Sequence, residues 1–183
     1  MTITVSQGRP EEVAGRTERE VRVYDLLDAL GLTFTRADHP CADTMEACEA
    51  VDAVLNAKIC KNLFLCNRQQ TDFYLLLMPG DKPFKTKELS GQLGCARLSF
   101  GSPDKMVELL DVHPGSASVM ALMNDKENRV RLLLDADLLK ESFLACHPCE
   151  NTSTIVLKTE DVLKTILPAV HHDYTTVTLV GEA

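Results

Sequence analysis

The stretch from Ile59 to Met78 constrains the fold more than any other part of the sequence. Ile59-Cys60-Lys61-Asn62-Leu63-Phe64-Leu65-Cys66 and Phe73 to Met78 are short apolar runs, separated by the polar, turn-like residues Asn67 to Asp72. Runs of this length and character read as strands, and the loop of about six residues between them predicts a hairpin. Pro79-Gly80-Asp81 breaks the second run.

Around the hairpin, helix and strand patterns mix without a steady βαβ beat. Residues 1–16 hold Gly8, Pro10 and Gly15 and no period, and read as an arm or a short edge strand. Thr17 and Glu20 have the spacing of a capping box, after which Val21, Tyr24, Leu27 and Leu30 follow at helical spacing until Gly31. Leu32 to Thr35 reads as a strand leading to His39-Pro40, and Thr44 opens a second helix. Phe84 to Leu93 predicts a helix, Ala96 to Phe100 a short strand, and Pro103 to Leu110 a helix capped by Ser102. Two apolar runs, Val119 to Met123 and Val130 to Leu134, flank a polar turn. Asp135 to Lys140 is a helical turn, Thr152 to Leu157 a strand, Thr159 to Thr165 the start of a last helix, and Tyr174 to Val180 a final strand. This irregular order predicts an α+β fold with a mixed or antiparallel sheet. With no repeat or splitting linker, the 183 residues read as one domain, 17–183, behind an arm of 1–16.

Composition bounds the function classes. No apolar run approaches the ~20 residues of a membrane helix, and the charged N-terminus lacks the apolar core of a signal peptide. The expected location is the cytoplasm, with no membrane partner and all seven cysteines reduced. A net charge of -8 opposes general nucleic-acid binding, although Lys82, Lys85, Lys87, Arg97 and Lys105 make residues 82–105 locally basic. A solvated surface is the ordinary explanation of such a cluster.

Several residue patterns can carry chemistry. Lys61 shares a strand face with Ile59, Leu63 and Leu65. A lysine there either orients a phosphate, carboxylate or carbonyl, or snorkels to water from an edge strand. His39, His113 and His147 each precede proline, which holds them extended at strand ends or loops; any of them can be a base or a structural histidine. His113-Pro114-Gly115-Ser116-Ala117-Ser118 is a small-residue loop whose N–H groups can bind a carbonyl or an anion, or form an ordinary turn. Cys146-His147-Pro148-Cys149 has dithiol spacing, but it precedes a β-like stretch, and no second such pair completes a zinc site, although His171 and His172 are adjacent. No Walker loop, dinucleotide fingerprint, nucleophile elbow or zinc-protease motif occurs.

Taken in order, His39-Pro40, Lys61-Asn62-Leu63-Phe64-Leu65, Leu98-Ser99-Phe100, His113-Pro114-Gly115-Ser116, Asn124-Asp125, His147-Pro148, Asn151-Thr152, Thr154 and His172-Asp173-Tyr174 resemble the YbaK-like aminoacyl-tRNA deacylases. The likeness spans roughly residues 17–180 and is nearest to the free-standing prolyl-tRNA editing proteins of the ProXp type. It implies an α+β domain with a central mixed, largely antiparallel sheet. The implied activity is hydrolysis of the aminoacyl ester at the 3′ end of a mischarged proline tRNA, with alanine as the leading amino acid. Lys61 matches the family's functional lysine and Asn62 its neighbour, so these two are the expected catalytic pair. His39, Gly115, Ser116, Ala117, Ser118, Val119, His147 and Asn151 are the expected substrate-binding residues, and Lys82, Lys85 and Lys87 the expected tRNA contacts. Val119 stands where the family's glycine-x-x-x-proline loop has proline, which alters the expected amino-acid pocket. The implied partners are the acceptor end of aminoacylated tRNA and prolyl-tRNA synthetase, with no metal or other cofactor. The competing expectations are a non-catalytic tRNA-binding or regulatory member of the same fold and, more remotely, a dithiol redox protein using Cys146 and Cys149.

Overall fold

The computed structural model describes residues 2–41, 44–57 and 59–181. Its first half runs β1 (Thr4–Gln7), α1 (Glu18–Ala29), β2 (Thr35–Asp38), α2 (Met45–Leu55), β3 (Cys60–Cys66), β4 (Phe73–Pro79), α3 (Thr86–Leu93), β5 (Ser99–Phe100) and α4 (Pro103–Leu110). A 3₁₀ helix (Val119–Asn124), β6 (Val130–Asp135), a second 3₁₀ helix (Ala136–Lys140), β7 (Phe143–Cys146) and β8 (Ser153–Lys158) follow. The last helix is α5 (Thr159–Asp161), a π-helical segment (Val162–Ile166) and α6 (Leu167–Ala169) in series, before β9 (Tyr174–Val177). None of the described helices is long and apolar enough to cross a membrane.

The hairpin forms as its sequence requires. β3 and β4 pair antiparallel, Cys60 opposite Pro79 and Cys66 opposite Phe73. The second strand is continuously apolar because both of its faces are covered. Phe73, Leu75 and Leu77 enter one hydrophobic cluster, and Tyr74, Leu76 and Met78 enter another. β4 sits in the middle of a five-stranded sheet ordered β5-β3-β4-β6-β9, in which β4–β6 and β6–β9 are parallel. The remaining strands make a separate antiparallel sheet ordered β1-β2-β8-β7. The expected sheet is thus divided in two, joined where Ile59 bridges Ala145.

The two clusters are the two layers of the core. The first lies between the sheets and takes Val23, Tyr24 and Leu27 from α1, Leu109 and Leu110 from α4, and Leu144, Ile155 and Leu157 from β7 and β8. The second covers the other face of the five-stranded sheet, with Leu89 from α3 and the terminal residues Val177 and Leu179. Replacing a β4 side chain of the first layer opens a hole that rigid strands cannot close. Leu75→Ala is expected to lower unfolding free energy by about 2–5 kcal/mol in urea titration.

A buried polar cluster fastens the N-terminal segment to the second sheet. Glu20, 2% exposed, accepts from Arg16 at 2.6 Å and from the Tyr24 hydroxyl at 2.6 Å. The Ser153 hydroxyl lies 2.6 Å from Asp38 Oδ1 and 3.1 Å from Glu20 Oε1. The capping box is therefore half made. Thr17 Oγ1 accepts from the Glu20 N–H, but the Glu20 carboxylate turns into the core instead of back to Thr17.

Other local expectations shift for tertiary reasons. The strand that follows α1 is Thr35–Asp38, not Leu32 to Thr35, because Leu32 N–H closes the end of α1 on Leu27 and Phe34 stacks on Tyr24 in the core. Val119–Asn124 is a 3₁₀ helix started by the Ser118 hydroxyl, which accepts from Met120 N–H. β7 was not visible in the sequence, being four residues with an exposed Phe143. The final strand ends at Val177, because Thr178 and Val180 donate to Gln92 and Glu88 of α3 instead of continuing the ladder.

Asp38 gives the fold an acid limit. Desolvation raises its pKa, but hydrogen bonds from Arg16, Ser153 and Arg36 outweigh this and hold it at about 2, against an ordinary 3.8. A depressed carboxylate stabilises the fold above its unfolded pKa, and that contribution is lost as pH falls through the folded value. Stability should therefore decline between about pH 4 and pH 2. Asp38→Asn should flatten that slope in unfolding curves measured at successive pH values.

Candidate functional site

The two faces of the hairpin meet at one end, and there the core cover gives way to a cavity. Its volume is about 570 Å³, within the usual range for small-molecule sites. Cys60 to Phe64 form one wall. Phe100, Gly101 and Met106 form another, the turn at Pro114, Gly115 and Ala117 closes a third, and His147 and α2 residues complete it.

Lys61 and Asn62 are adjacent on β3, so their side chains leave the strand on opposite faces, yet both line this cavity. The Lys61 ammonium donates to the Lys82 carbonyl at 2.6 Å. Among the described residues Lys61 has no carboxylate partner, so its positive charge is not compensated. Asn62 Nδ2 donates to the Cys60 carbonyl at 3.0 Å, which fixes the amide's orientation. Its Oδ1 is buried and has no hydrogen-bond partner among the described residues. An acceptor so placed costs free energy until a donor arrives.

The His113–Ser116 loop is a turn closed by Ser116 N–H on the His113 carbonyl at 3.0 Å. Pro114 occupies the second position, and Gly115 the third with φ 87, a conformation open to glycine at little cost. The turn spends the Ser116 N–H. The N–H groups of Gly115 and Ala117, on the cavity wall, have no acceptor among the described residues.

His147 donates through Nδ1 to the Ser153 carbonyl at 2.8 Å, leaving Nε2 as the lone-pair nitrogen of the neutral ring. Desolvation depresses its pKa below the ordinary 6.5, so the ring stays neutral at physiological pH. His39 lies behind it with ring centroids 6.3 Å apart, its Nδ1 on the Pro40 carbonyl and its Nε2 on the Thr154 hydroxyl. His39 supports the wall and does not line it.

Of the other expected site residues, several lie outside the cavity. Val119 is 1% exposed in the main core behind the turn, and Ser116 and Ser118 are buried beside it. Asn151 is half-buried and donates to Cys41 Sγ at 2.8 Å. The Lys82 ammonium is held by Asp135, Asp137 and the Leu179 carbonyl at 2.6–2.7 Å, so its charge is neutralised within the fold. Lys85 and Lys87 are exposed. Cys146 and Cys149 are buried, and desolvation pushes both thiols up, Cys146 to about 12, the opposite of what a redox dithiol needs. His172 is buried against Asp125 at 3.0 Å. Among the described residues no group of three or more His, Cys, Asp or Glu side chains could hold a metal ion.

Gly101 and Phe64 escaped the sequence reading. A Cβ on Gly101 would sit 2.5 Å from the Phe64 ring, which is itself stacked on Phe73. Gly101→Ala should therefore cost about 1–3 kcal/mol and disturb the cavity wall. Gly91→Ala, on an open face of α3, should instead stabilise by about 0.5–1 kcal/mol. Urea unfolding of the two variants checks the contrast.

The chain is similar to known proteins in sequence and in fold. The sequence model of the aminoacyl-tRNA editing domain matches residues 39–165. The chain is similar to the prolyl-tRNA editing protein ProX of Acetoanaerobium sticklandii, 32% identical over 79% of this chain and 88% of that one. It is 30% identical to prolyl-tRNA synthetase associated domain-containing protein 1 of Mus musculus, over 86% of this chain and 94% of that one. A solved structure described as a trans-editing enzyme for prolyl tRNA synthetase superposes with a TM-score of 0.68, covering 91% of this chain and 99% of that one. At 17% identity that likeness shows a shared fold.

Proposed function

We propose that this chain, which belongs to the aminoacyl-tRNA editing domain family, hydrolyses the ester of a mischarged proline tRNA, releasing alanine from alanyl-tRNA(Pro). The observation that carries the reading is the convergence of an uncompensated ammonium, an unpartnered amide oxygen and two free N–H groups on one cavity.

Each group has a task in ester hydrolysis. Lys61, already anchored on the Lys82 carbonyl, offers its remaining N–H donors to the terminal phosphate of the acceptor strand. Asn62 Oδ1, which has no partner among the described residues, accepts from the α-ammonium of the aminoacyl group. Water adds to the acyl carbon, and the N–H groups of Gly115 and Ala117 stabilise the oxyanion. The acyl–oxygen bond to the ribose then breaks, the ribose oxygen takes the proton and the free amino acid leaves. The neighbouring ribose hydroxyl helps orient the attacking water, and neutral His147 lines the pocket. No step requires a metal or a covalent enzyme intermediate.

Selection rests on size: a pocket that admits alanine and turns proline away is the second sieve of an editing system. Val119 acts on that pocket from behind, through Ala117, because its side chain is in the core. The exposed Lys85 and Lys87 supply few phosphate contacts, so tRNA binding is weak and salt-sensitive, in the cytoplasm and alongside prolyl-tRNA synthetase.

Single-turnover deacylation tests the proposal. The protein in excess should release alanine from alanyl-tRNA(Pro) and spare prolyl-tRNA(Pro). Lys61→Ala should lower kcat/KM by about 10- to 150-fold, the worth of one charge-assisted hydrogen bond. Release no faster than the uncatalysed background would leave a non-catalytic tRNA-binding role.

A further inference from the structure

The cavity has an aromatic rim that the reaction does not use. Phe100 is 64% exposed, although it sits on the short edge strand β5 and lines the cavity mouth. Its position is fixed on every side. Phe100 pairs with Leu65 in the sheet, and Gly101 N–H next to it donates to the Phe64 carbonyl at 2.8 Å. Leu98 N–H, two residues earlier, donates to Ser90 Oγ. Phe84 meets its ring edge-on, with centroids 6.0 Å apart and planes at 64°. A large ring that stays mostly exposed on a backbone fixed in this way has less left to order when a ligand arrives.

Charge singles out the ligand. Lys85 follows Phe84, and Arg97 precedes Phe100 by three residues. These two and Lys87 are exposed and have no carboxylate partner among the described residues. On its other side the cavity shares Glu49, Asp52 and Asp81 with a larger groove that also carries Asp137 and Glu141. That groove has its own exposed aromatic, Phe143, but among the described residues five carboxylates line it against two ammonium groups, Lys82 and Lys140, a net negative lining that disfavours a phosphate chain. An exposed aromatic ring near cations without carboxylate partners is the arrangement that binds single-stranded nucleic acid by stacking.

We propose that Phe100 is the stacking platform for the last nucleobase of the tRNA acceptor strand. The strand leaves the cavity past Arg97, Lys85 and Lys87, away from the acidic groove. The proposal rests on the tRNA-editing reading and deepens it by naming the base subsite.

The probe is an acceptor-stem RNA hairpin whose unpaired 3′ end carries 2-aminopurine as its last base and a free 3′ hydroxyl. Titrating the protein into it should quench the fluorescence as the base stacks. Phe100→Ala should abolish the quenching and weaken binding by about 5- to 150-fold, and Phe100→Leu, apolar but without a π face, should do nearly the same. Phe100→Trp should retain the quenching. The thermal unfolding midpoint of each variant should stay near that of the parent, because the ring is exposed. Quenching and affinity unchanged in Phe100→Ala, or a bound probe that never quenches, overturns the subsite. Alanyl-tRNA(Pro) deacylation, run on the same preparations, separates the two claims. Hydrolysis without quenching keeps the editing reading and removes the subsite. Quenching lost in Phe100→Ala without any hydrolysis keeps the subsite on a non-catalytic protein. The absence of both removes both.

Discussion

A strand that is apolar on both faces must be covered on both, and the position of the site follows from that requirement. β4 is buried from Phe73 through Met78, so the five-stranded sheet needs a layer on each side. The second sheet and the α1 and α4 helices supply one layer, and α3 and the terminal segment supply the other. β3 shares these layers along most of its length. At its start, where Cys60 faces Pro79 and the chain turns through Gly80, the cover ends and Lys61 and Asn62 come to the cavity. Gly80 belongs to the same constraint, since a Cβ there would lie 2.8 Å from the Ile59 carbonyl. The turn that carries the Lys82 carbonyl to Lys61 is thereby pressed against the strand.

The electrostatics sort the lysines by role. Lys82 is compensated by two carboxylates and serves as a peg: its ammonium ties the turn to Asp135 and Asp137, while its carbonyl receives Lys61. Lys61 has no carboxylate partner among the described residues. The same contrast holds at larger scale, with a groove of net negative lining beside the cavity and, among the described residues, exposed cations without carboxylate partners at Lys85, Lys87 and Arg97. A chain of net charge -8 can then present a local path to a phosphate strand without being a general nucleic-acid binder.

Much of this was legible in the sequence wherever one segment carried its own signal. The hairpin could be read because β4's burial on both faces writes itself as an unbroken apolar run. Ser102, Gly31 and the Pro114-Gly115 turn announced themselves through local backbone chemistry. Lys61 and Asn62 were singled out through the ordered resemblance, since spacing alone favoured a snorkelling lysine. What failed to show was what two distant segments decide together. Val119 reads as a pocket residue until the 3₁₀ helix turns it into the core, and Lys82 reads as a free cation until Asp135 arrives from 53 residues away. The unpartnered Oδ1 of Asn62 has no sequence signal, because an asparagine's accepted bonds depend on what the fold brings to it.

The most direct measurement is a heteronuclear NMR titration with a non-hydrolysable analogue in which alanine is joined to the 3′ position of adenosine by an amide. Largest shifts at the Asn62 side-chain amide and at the Gly115 and Ala117 N–H groups, with Asn151 and His172 unmoved, are the result expected of a single substrate cavity. Shifts concentrated instead along the acidic groove, around Glu141 to Leu144, with Asn62 and Gly115 silent, would contradict it.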